Sequence, residues 1–317
     1  MKVRDFPGLE AYLDAEVAKV QAALHRASER LERLGPSTPG GSEAATPALG
    51  VDVLAALRHG LLSGGKRLRP ILCATAYVTC GGRSTDAAYD LAVSLEMIHA
   101  YSLMHDDLPC MDDAELRRGR PTTHRVHGEE STMTAGAVLI PVAALTALRA
   151  ARALGCGEDR ARRVASQLMQ AAGAGGMVGG QWLDLQGEGA ALEPEELDRL
   201  HQRKTGALLA ASLLMGATAA GASDDVHDAM ASYGRAVGLA FQITDDILDA
   251  TASSQALGKN PSDTELDKST YVALYGLEAA RTHADALVDR ALDALQEADV
   301  DSPPLEALAR YVVERGS

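Results

Sequence analysis

Apolar positions along the chain recur at helical rather than strand spacing. Leu9, Leu13, Val17 and Val20 repeat every three or four residues, as on one face of an amphipathic helix. A stretch rich in Gly, Pro, Ser and Thr at 35–50 interrupts the pattern, which then continues almost to the C-terminus. Further helices are predicted at about 53–61, 70–80, 86–107, 131–154, 159–175, 194–220, 225–250, 269–275, 277–297 and 303–314.

These segments predict an all-α fold. Their lengths differ and no motif repeats at a fixed period, which disfavours a solenoid and favours a single large helical bundle around a central cavity. Hydrophobic residues make up 46% of the chain but aromatic residues only 3%, a mixture that suits helices better than sheets. We expect residues 1–317 to form one domain, with a mobile surface loop at about 35–50.

Charge and cysteine content narrow the possible functions and compartments. The chain has 30 Lys and Arg against 44 Asp and Glu, a net charge of −14, which argues against a general nucleic-acid-binding protein. Its four cysteines show no C-x-x-C spacing, so neither a zinc site nor a disulfide framework is expected. No uninterrupted run of 18 apolar residues occurs. We therefore expect a cytoplasmic protein without a signal peptide or membrane span.

Two clusters of aspartates occur near the predicted ends of two apolar helices. The first acidic motif consists of Asp106, Asp107 and Asp112, and the second acidic motif consists of Asp245, Asp246 and Asp249. Pro109 should end the preceding helix, which places the first motif at a C-terminus where the helix dipole is already negative. In the second motif Asp245 and Asp249 share one helical face and repel each other. Both arrangements require a compensating cation.

The composition of these motifs indicates which cation they would bind. One such motif alone is commonly a solvated, acidic helix end. Two motifs with apolar neighbours favour a hard cation such as Mg²⁺, because their ligands are oxygens without His or Cys. Mg²⁺ takes one or two carboxylates and completes its coordination with water and substrate phosphates. The implied ligand is therefore phosphorylated.

Basic residues that could hold a diphosphate are present despite the acidic composition. They are Lys66, Arg67 and Arg69 after Gly64-Gly65, Arg117, Arg118 and Arg120 after the first acidic motif, Lys204, and Lys259 and Lys268 after the second. Arg can bind phosphate through two parallel hydrogen bonds, whereas Lys acts as a point charge. Any one of them could instead be a surface charge, and this interpretation is preferred for Arg67 and Arg120.

Taken together, these motifs resemble those of the trans-isoprenyl diphosphate synthases, the polyprenyl synthetase family, from about residue 50 to the C-terminus. The residues that carry the resemblance are Gly64-Gly65-Lys66-Arg67-Leu68-Arg69-Pro70, the first acidic motif with Leu116-Arg117-Arg118-Gly119, Gly179-Gly180-Gln181, Lys204-Thr205-Gly206, and the second acidic motif with Gly258-Lys259 and Asp267-Lys268. The resemblance implies a prenyltransferase that ionises an allylic diphosphate with Mg²⁺ and condenses it with isopentenyl diphosphate.

The resemblance also implies roles for individual residues. Metal binding, with three Mg²⁺ ions in the substrate-bound site, is implied for Asp106, Asp107, Asp112, Asp245, Asp246 and Asp249. Binding of the allylic diphosphate is implied for Arg117, Lys204, Thr205, Gln242, Lys259 and Lys268. Binding of isopentenyl diphosphate is implied for Lys66, Arg69, His99 and Arg118. The residues expected to be catalytic are Lys204, Thr205, Gln242 and the aspartates other than Asp249.

The length of the product is expected to depend on the helix that precedes the first acidic motif. Tyr101 lies five residues before Asp106, about 7.5 Å along the helix axis, where its ring would close the floor of the chain cavity. An aromatic residue here, together with a two-residue insertion in the first acidic motif, resembles bacterial farnesyl diphosphate synthases and favours a C15 product. Tyr101 and Ser102 are the residues expected to set chain length. The segment 109–116 instead resembles some geranylgeranyl diphosphate synthases, so a C20 product stays the alternative.

Other functions fit these motifs less well. A class I terpene cyclase would not need Lys66, Arg69 and Arg118, and a non-catalytic subunit of a heteromeric synthase should have one degraded acidic motif. Hydrolysis of a phosphorylated substrate is a weak third option. The family implies a homodimer. His105 is expected to be structural and His99 to donate to phosphate.

Three departures concern positions around these motifs. Ala137 stands where many relatives have Asp, and it is expected to remove a buried polar group. Ser262 stands where relatives often have Gly. The chain ends in Glu314-Arg315-Gly316-Ser317, so the contact of a terminal Arg with isopentenyl diphosphate is in question.

Overall fold

The computed structural model describes residues 6, 8–32, 49–187, 192–251 and 269–314. Within these ranges the chain is almost entirely helical. The helices are α1 Leu9–Glu32, α2 Val51–Leu62, α3 Leu68–Thr79, α4 Asp86–Asp106, α5 Thr123–His127, α6 Glu129–Ala153, α7 Glu158–Ala172, α8 Met177–Gly187, α9 Pro194–His201, α10 Ala207–Ala220, α11 Asp224–Thr251, α12 Tyr271–Tyr275, α13 Leu277–Glu297 and α14 Pro303–Glu314. Between α4 and α5, β1 Leu116–Arg117 and β2 Arg120–Pro121 form a small antiparallel hairpin.

The predicted all-α bundle is confirmed, and most predicted helices are present with ends shifted by up to three residues. The segment 194–220, predicted as one helix, contains a π-helical turn, Gln202–Gly206, between α9 and α10. Helix α8 was not predicted, because the glycine-rich sequence before it has no apolar period. Most of the predicted loop at 35–50 lies outside the described residues.

Helix α4 forms the centre of the core. Leu91, Val93, Leu95 and Ile98 are fully buried, and the helix packs against α1, α2, α3 and α6. A helix that is apolar on every side must be surrounded by other elements. The polar C-terminal end of α4 is therefore held in a fixed position by the helices around it.

Glycines allow α10 to approach its neighbours closely. A Cβ atom at Gly216 of α10 would overlap the carbonyl oxygen of Cys73 and lie 2.8 Å from the backbone nitrogen of Tyr77, both in α3. A Cβ atom at Gly238 of α11 would lie 2.8 Å from Cα of Gly206, at the end of the π-helical turn. These contacts fix the spacing of α3, α10 and α11.

Helix α6 is the one described helix that is long and apolar enough to cross a membrane. Its most apolar window has a mean hydropathy of 1.7, and 33% of that window is buried. This is weak support for a membrane span, because α6 also packs along the central helix α4 and a core helix can have the same composition. The window is, however, less buried than a fully enclosed core helix would be.

Gly216→Ala is expected to destabilise the protein by about 1–3 kcal/mol, because the added methyl group has to displace the backbone of α3. Chemical denaturation would measure the free energy of unfolding. Gly175→Ala is the control, since a Cβ atom there meets nothing within 4 Å. Equal stability of the two variants would contradict the close approach of α3 and α10.

Candidate active site

The first acidic motif folds back on itself at the end of α4. The backbone N–H of Asp112 donates to the carbonyl oxygen of Asp106 at 2.9 Å, which returns Asp112 to the helix end. Asp107 is only 4% exposed and pairs with Arg117, whose Nε donates to Oδ1 at 2.7 Å and to Oδ2 at 3.0 Å. Burial raises the pKa of Asp107, and Arg117 opposes that rise. The pair ties the hairpin to α4.

The tip of the hairpin packs against the glycine pair before α3. Arg118 and Gly119 both have positive φ angles, 54° and 73°, which forms the tight turn. The Arg118 guanidinium donates to the carbonyl oxygen of Gly64, and a Cβ atom on Gly65 would overlap that guanidinium. Two motifs that are far apart in the sequence are thereby in contact. They border a cleft of about 830 Å³ that also includes Asp107 and Arg117.

The π-helical turn presents consecutive side chains toward α8 and α11. Lys204 Nζ lies 2.5 Å from Asp184 Oδ2, and Thr205 Oγ1 donates to Gln242 Oε1 at 2.9 Å. The absence of side chains at Gly206 and Gly238 allows this approach. Single π-helical turns within α-helices are frequent at functional sites, and this one carries two residues that the sequence identified.

Asp246 in the second acidic motif is buried and hydrogen-bonded, like Asp107 in the first. It is 7% exposed, and its Oδ2 accepts from the backbone N–H of Tyr271 at 2.8 Å. The two flanking aspartates, Asp245 and Asp249, are more exposed. In each acidic motif, therefore, the second aspartate is buried and bonded to a neighbouring element, and the others are more accessible.

Lys204 and Arg69 connect the two acidic motifs. The charge of Lys204 lowers the pKa of Asp106, and Lys204 lines one cavity together with Gln242 and Asp246. Arg69 is close enough to Asp245 for their charges to interact. Both acidic motifs therefore lie near the same basic residues, at one end of the bundle.

Asp106 has an unusual electrostatic environment. Burial, together with the like charges of Asp112 and Asp107, raises the pKa of Asp106 to about 6, although the charges of Lys204 and Arg117 oppose the rise. A buried carboxylate that is hard to ionise is stabilised by a bound cation. This is the behaviour expected of a residue that binds a metal ion.

Three of the four residues expected to bind isopentenyl diphosphate lie together. The pKa of His99 is well below its ordinary value because of burial and then of the charges of Arg69, Arg118 and Arg117. The buried Nε of Arg69 has no hydrogen-bond partner. A neutral imidazole among arginines, with a buried donor beside it, suits an anionic ligand. Lys66 is exposed at the start of α3.

The surface interpretation of Arg67 was wrong. Arg67 is 4% exposed, and its Nη1 lies 2.5 Å from Oε1 of the buried Glu96. Its φ of 51° directs the chain into α3. It anchors the basic segment to α4, whereas Arg120 is exposed as predicted.

Two further expectations concern residues near α6. The ring of His105 lies over Gly136, and its Nε2 is 3.1 Å from the carbonyl oxygen of Met133, which agrees with a structural role.

Ala137, expected to replace a buried polar group, is exposed. That expectation was wrong, because this position is on the outer face of α6.

Sequence reasoning missed Asp184 and Glu96, the partners of Lys204 and Arg67. Asp184 follows Gln181 of the quoted glycine motif by three residues, a spacing that puts both on one side of a helix. That spacing could have identified it. No sequence pattern around Glu96 indicates that it pairs with Arg67.

The oxygen ligands fit Mg²⁺ shared with a phosphorylated substrate. Among the described residues no three His, Cys, Asp or Glu side chains converge on one point. Mg²⁺ needs only one or two carboxylates when phosphates and water complete its coordination. Each acidic motif contributes an aspartate to a cleft, Asp107 to one and Asp246 to another, which suits that requirement. Lys259, Lys268, Ser262 and Arg315 lie outside the described residues.

Comparison with known proteins identifies the family. The polyprenyl synthetase family matches residues 52–303. The chain belongs to the polyprenyl synthetase family.

Relatives of this polyprenyl synthetase have closely related activities. It is 41% identical over 305 residues to farnesyl diphosphate synthase of Escherichia coli, covering 94% of this chain and 98% of that protein. It is 43% identical over 262 residues to a chloroplastic geranylgeranyl pyrophosphate synthase of Catharanthus roseus, covering 82% and 72%.

A solved structure agrees with these relatives. The geranyltransferase of Helicobacter pylori, complexed with magnesium and isoprenyl diphosphate, has a TM-score of 0.71 and 30% identity, with 93% and 96% of the two chains covered. The protein is therefore a trans-prenyltransferase of the short-chain type that forms farnesyl or geranylgeranyl diphosphate.

In metal-free protein, Asp106→Asn is expected to raise the melting temperature at about pH 8 and to lose this effect as the pH falls from about 6 to 4. The raised pKa means that the folded state disfavours the carboxylate, so ionisation above about pH 6 destabilises the wild type. Thermal denaturation across this pH range would measure the difference. Asp112→Asn, at an exposed position, is the control, and a gain independent of pH would contradict the assignment.

Proposed function

We propose that this prenyltransferase condenses isopentenyl diphosphate with C5 and then C10 allylic diphosphates to make farnesyl diphosphate. The observation that carries the C15 assignment is the position of Tyr101. Its half-buried ring packs edge-on against His105 with ring centroids 4.9 Å apart. Burial and then the nearby charge of Asp106 raise the pKa of Tyr101. A ring held there would stop a chain that grows down the helix from Asp106.

A C20 product is the second candidate. The segment 109–116 and the relative from Catharanthus roseus favour it. The relative from Escherichia coli, named a farnesyl diphosphate synthase, aligns over more of this chain. Direct measurement of product length decides between the two.

The proposed reaction begins with binding of the allylic diphosphate between the acidic motifs. Their aspartates would hold the ions, proposed to be three Mg²⁺. When bound, Mg²⁺ supplies positive charge that stabilises the departing diphosphate. Lys204 and Arg117 are placed to add protein charge there, supported by their ion pairs with Asp184 and Asp107. Lys259 and Lys268 are proposed to extend this set.

Ionisation breaks the bond between the allylic carbon and oxygen, and the electron pair leaves with the diphosphate. Thr205 and Gln242, joined by a hydrogen bond, are proposed to lie beside the resulting cation. The apolar residues around α4 and α11 would keep water away from it. No protein nucleophile is needed.

Isopentenyl diphosphate is proposed to bind through Arg69, His99 and Arg118, with Lys66 at the entrance. Their grouping supports a dedicated anion site next to the allylic site. The double bond attacks the cation, and the released diphosphate accepts the proton lost afterwards. Close alignment of the two substrates would supply much of the rate enhancement.

We also propose a homodimer formed through the outer face of α6. Met133, Ala137, Pro141 and Leu145 are exposed at four-residue intervals along this helix, and Met133 and Leu145 are 53% and 48% exposed. A continuous apolar stripe on a monomer is typical of a subunit interface. A second copy of the chain can cover it by two-fold symmetry.

The proposed function is tested by incubating purified protein with labelled isopentenyl diphosphate, Mg²⁺ and each of the C5, C10 and C15 allylic diphosphates. Farnesyl diphosphate should accumulate from C5 and C10, and chelation of the metal should abolish the reaction. Accumulation of C20 product would support the second candidate. Failure to consume isopentenyl diphosphate under all conditions would contradict the proposal.

Tyr101→Ala is expected to shift the product from C15 to C20 or longer, because the floor of the chain cavity is removed. Chromatography of the dephosphorylated products would measure the shift. Val51→Ala is the control, since Val51 is 78% exposed at the start of α2 and lies outside the site. An unchanged distribution in the Tyr101 variant would reject this residue as the floor.

Leu145→Glu is expected to convert the dimer to monomer at micromolar concentration, because two carboxylates would be buried in the interface. Light scattering after size-exclusion chromatography would give the mass. Val51→Glu is the matched control, since Val51 is 78% exposed at the start of α2, outside the stripe. A dimer that persists in Leu145→Glu would place the interface elsewhere.

A further inference from the structure

The first residue of α12, Tyr271, has a fully buried side chain. It is 1% exposed, and other aromatic rings pack against it. The His201 ring stacks on it with centroids 5.6 Å apart, and the Tyr275 ring stacks at 5.9 Å. The His283 ring, from α13, meets it edge-on at 5.7 Å. Aromatic pairs at these separations attract each other beyond the area that they bury, so the ring is held from several sides.

The Tyr271 hydroxyl adds a directional bond to this packing. It donates to Oδ1 of Asp198, which lies on α9 three residues before His201. Both contacts therefore come from one side of this short helix. Helix α9 leads directly into the π-helical turn that carries Lys204. The ring of Tyr271 is thus fixed relative to that turn.

The backbone of the same residue contacts the second acidic motif. The N–H of Tyr271 donates to Oδ2 of Asp246 at 2.8 Å, and Nε2 of His201 lies 3.9 Å from that oxygen. His201, Lys204 and Asp246 line one cavity. Tyr271 therefore connects the helix that precedes Lys204 with an aspartate on α11.

We infer that Tyr271 is a positioning residue, which sets the orientation of the Asp246 carboxylate and its distance from Lys204. This inference rests on the proposed function, in which Asp246 helps to hold Mg²⁺. Partners that orient a metal-binding carboxylate contribute to metal affinity although they do not touch the metal. Because the bond from Tyr271 orders Asp246 when the protein folds, less ordering is left to oppose binding of the ion.

A purely structural role and a positioning role predict different effects of changing Tyr271. If the residue only stabilises the fold, its variants lose stability and bind Mg²⁺ as the wild type does. If it positions Asp246, the variants also need more Mg²⁺, because a less ordered carboxylate has to be fixed on binding. The Mg²⁺ dependence therefore distinguishes the two roles.

The test compares Tyr271→Phe and Tyr271→Leu with wild type in titrations with Mg²⁺. One titration follows the steady-state rate, and the other follows the melting temperature with inorganic diphosphate present. The Mg²⁺ concentration for half of the maximal effect should rise about threefold in Tyr271→Phe, which keeps the ring contacts, and at least about tenfold in Tyr271→Leu. The KM for isopentenyl diphosphate, proposed to bind through other residues, should stay within about twofold.

Tyr233→Phe is the matched control. Tyr233 is also fully buried and lies on α11, the helix of Asp246, and its hydroxyl donates to the carbonyl oxygen of Leu305 at 2.7 Å. This variant should lose stability and keep the Mg²⁺ dependence of the wild type. Unchanged Mg²⁺ dependence in the Tyr271 variants, or an equal shift in Tyr233→Phe, would overturn the inference. If Tyr271→Leu does not fold, the shift in Tyr271→Phe decides.

Failure of the proposed function gives a different result. Wild-type protein that does not consume isopentenyl diphosphate would contradict the proposed function, and the melting-temperature titration would then decide the inference by itself. Wild-type protein that gains no stability from Mg²⁺ and inorganic diphosphate would contradict the inference, even if the enzyme is active.

Discussion

Repulsion between aspartates at the ends of two helices is the constraint on which the rest of the site depends. Asp106 belongs to a helix C-terminus where the dipole is also negative, and α11 carries further acidic residues near its own end. The positive charge of Lys204, which lies in the π-helical turn, partly offsets this repulsion by lowering the pKa of Asp106. The turn is in place because α8, α10 and α11 approach one another where glycines permit it.

Each acidic motif contains one buried, hydrogen-bonded aspartate and others that are more accessible. Asp107 and Asp246 are bonded to Arg117 and to the backbone of Tyr271, so they hold the hairpin and α12 in place. The other aspartates of the two motifs are more accessible, and they are the ones proposed to meet a cation. Of two aspartates that are adjacent in the sequence, one is thus buried and holds a neighbouring element, and the other is more accessible.

Much of the fold and part of the site could be predicted from the sequence. Apolar periodicity located the long helices, and the acidic and basic motifs identified Asp106, Lys204 and Thr205. Contacts between distant segments could not be predicted. Glu96 gives no local sign that it pairs with Arg67, and α8 begins in a glycine-rich segment without an apolar period. The π-helical turn depends on packing against α8 and α11 rather than on the preference of its own residues.

The position of α8 also gives the molecule an optical property. Trp182 is the single tryptophan of the chain and is 60% exposed, directly after Gln181. All intrinsic indole fluorescence therefore originates from one helix at the border of the active site. The emission wavelength and quenching of Trp182 depend on the solvent exposure of α8. Occupancy of the neighbouring cavity can therefore be followed in unlabelled protein.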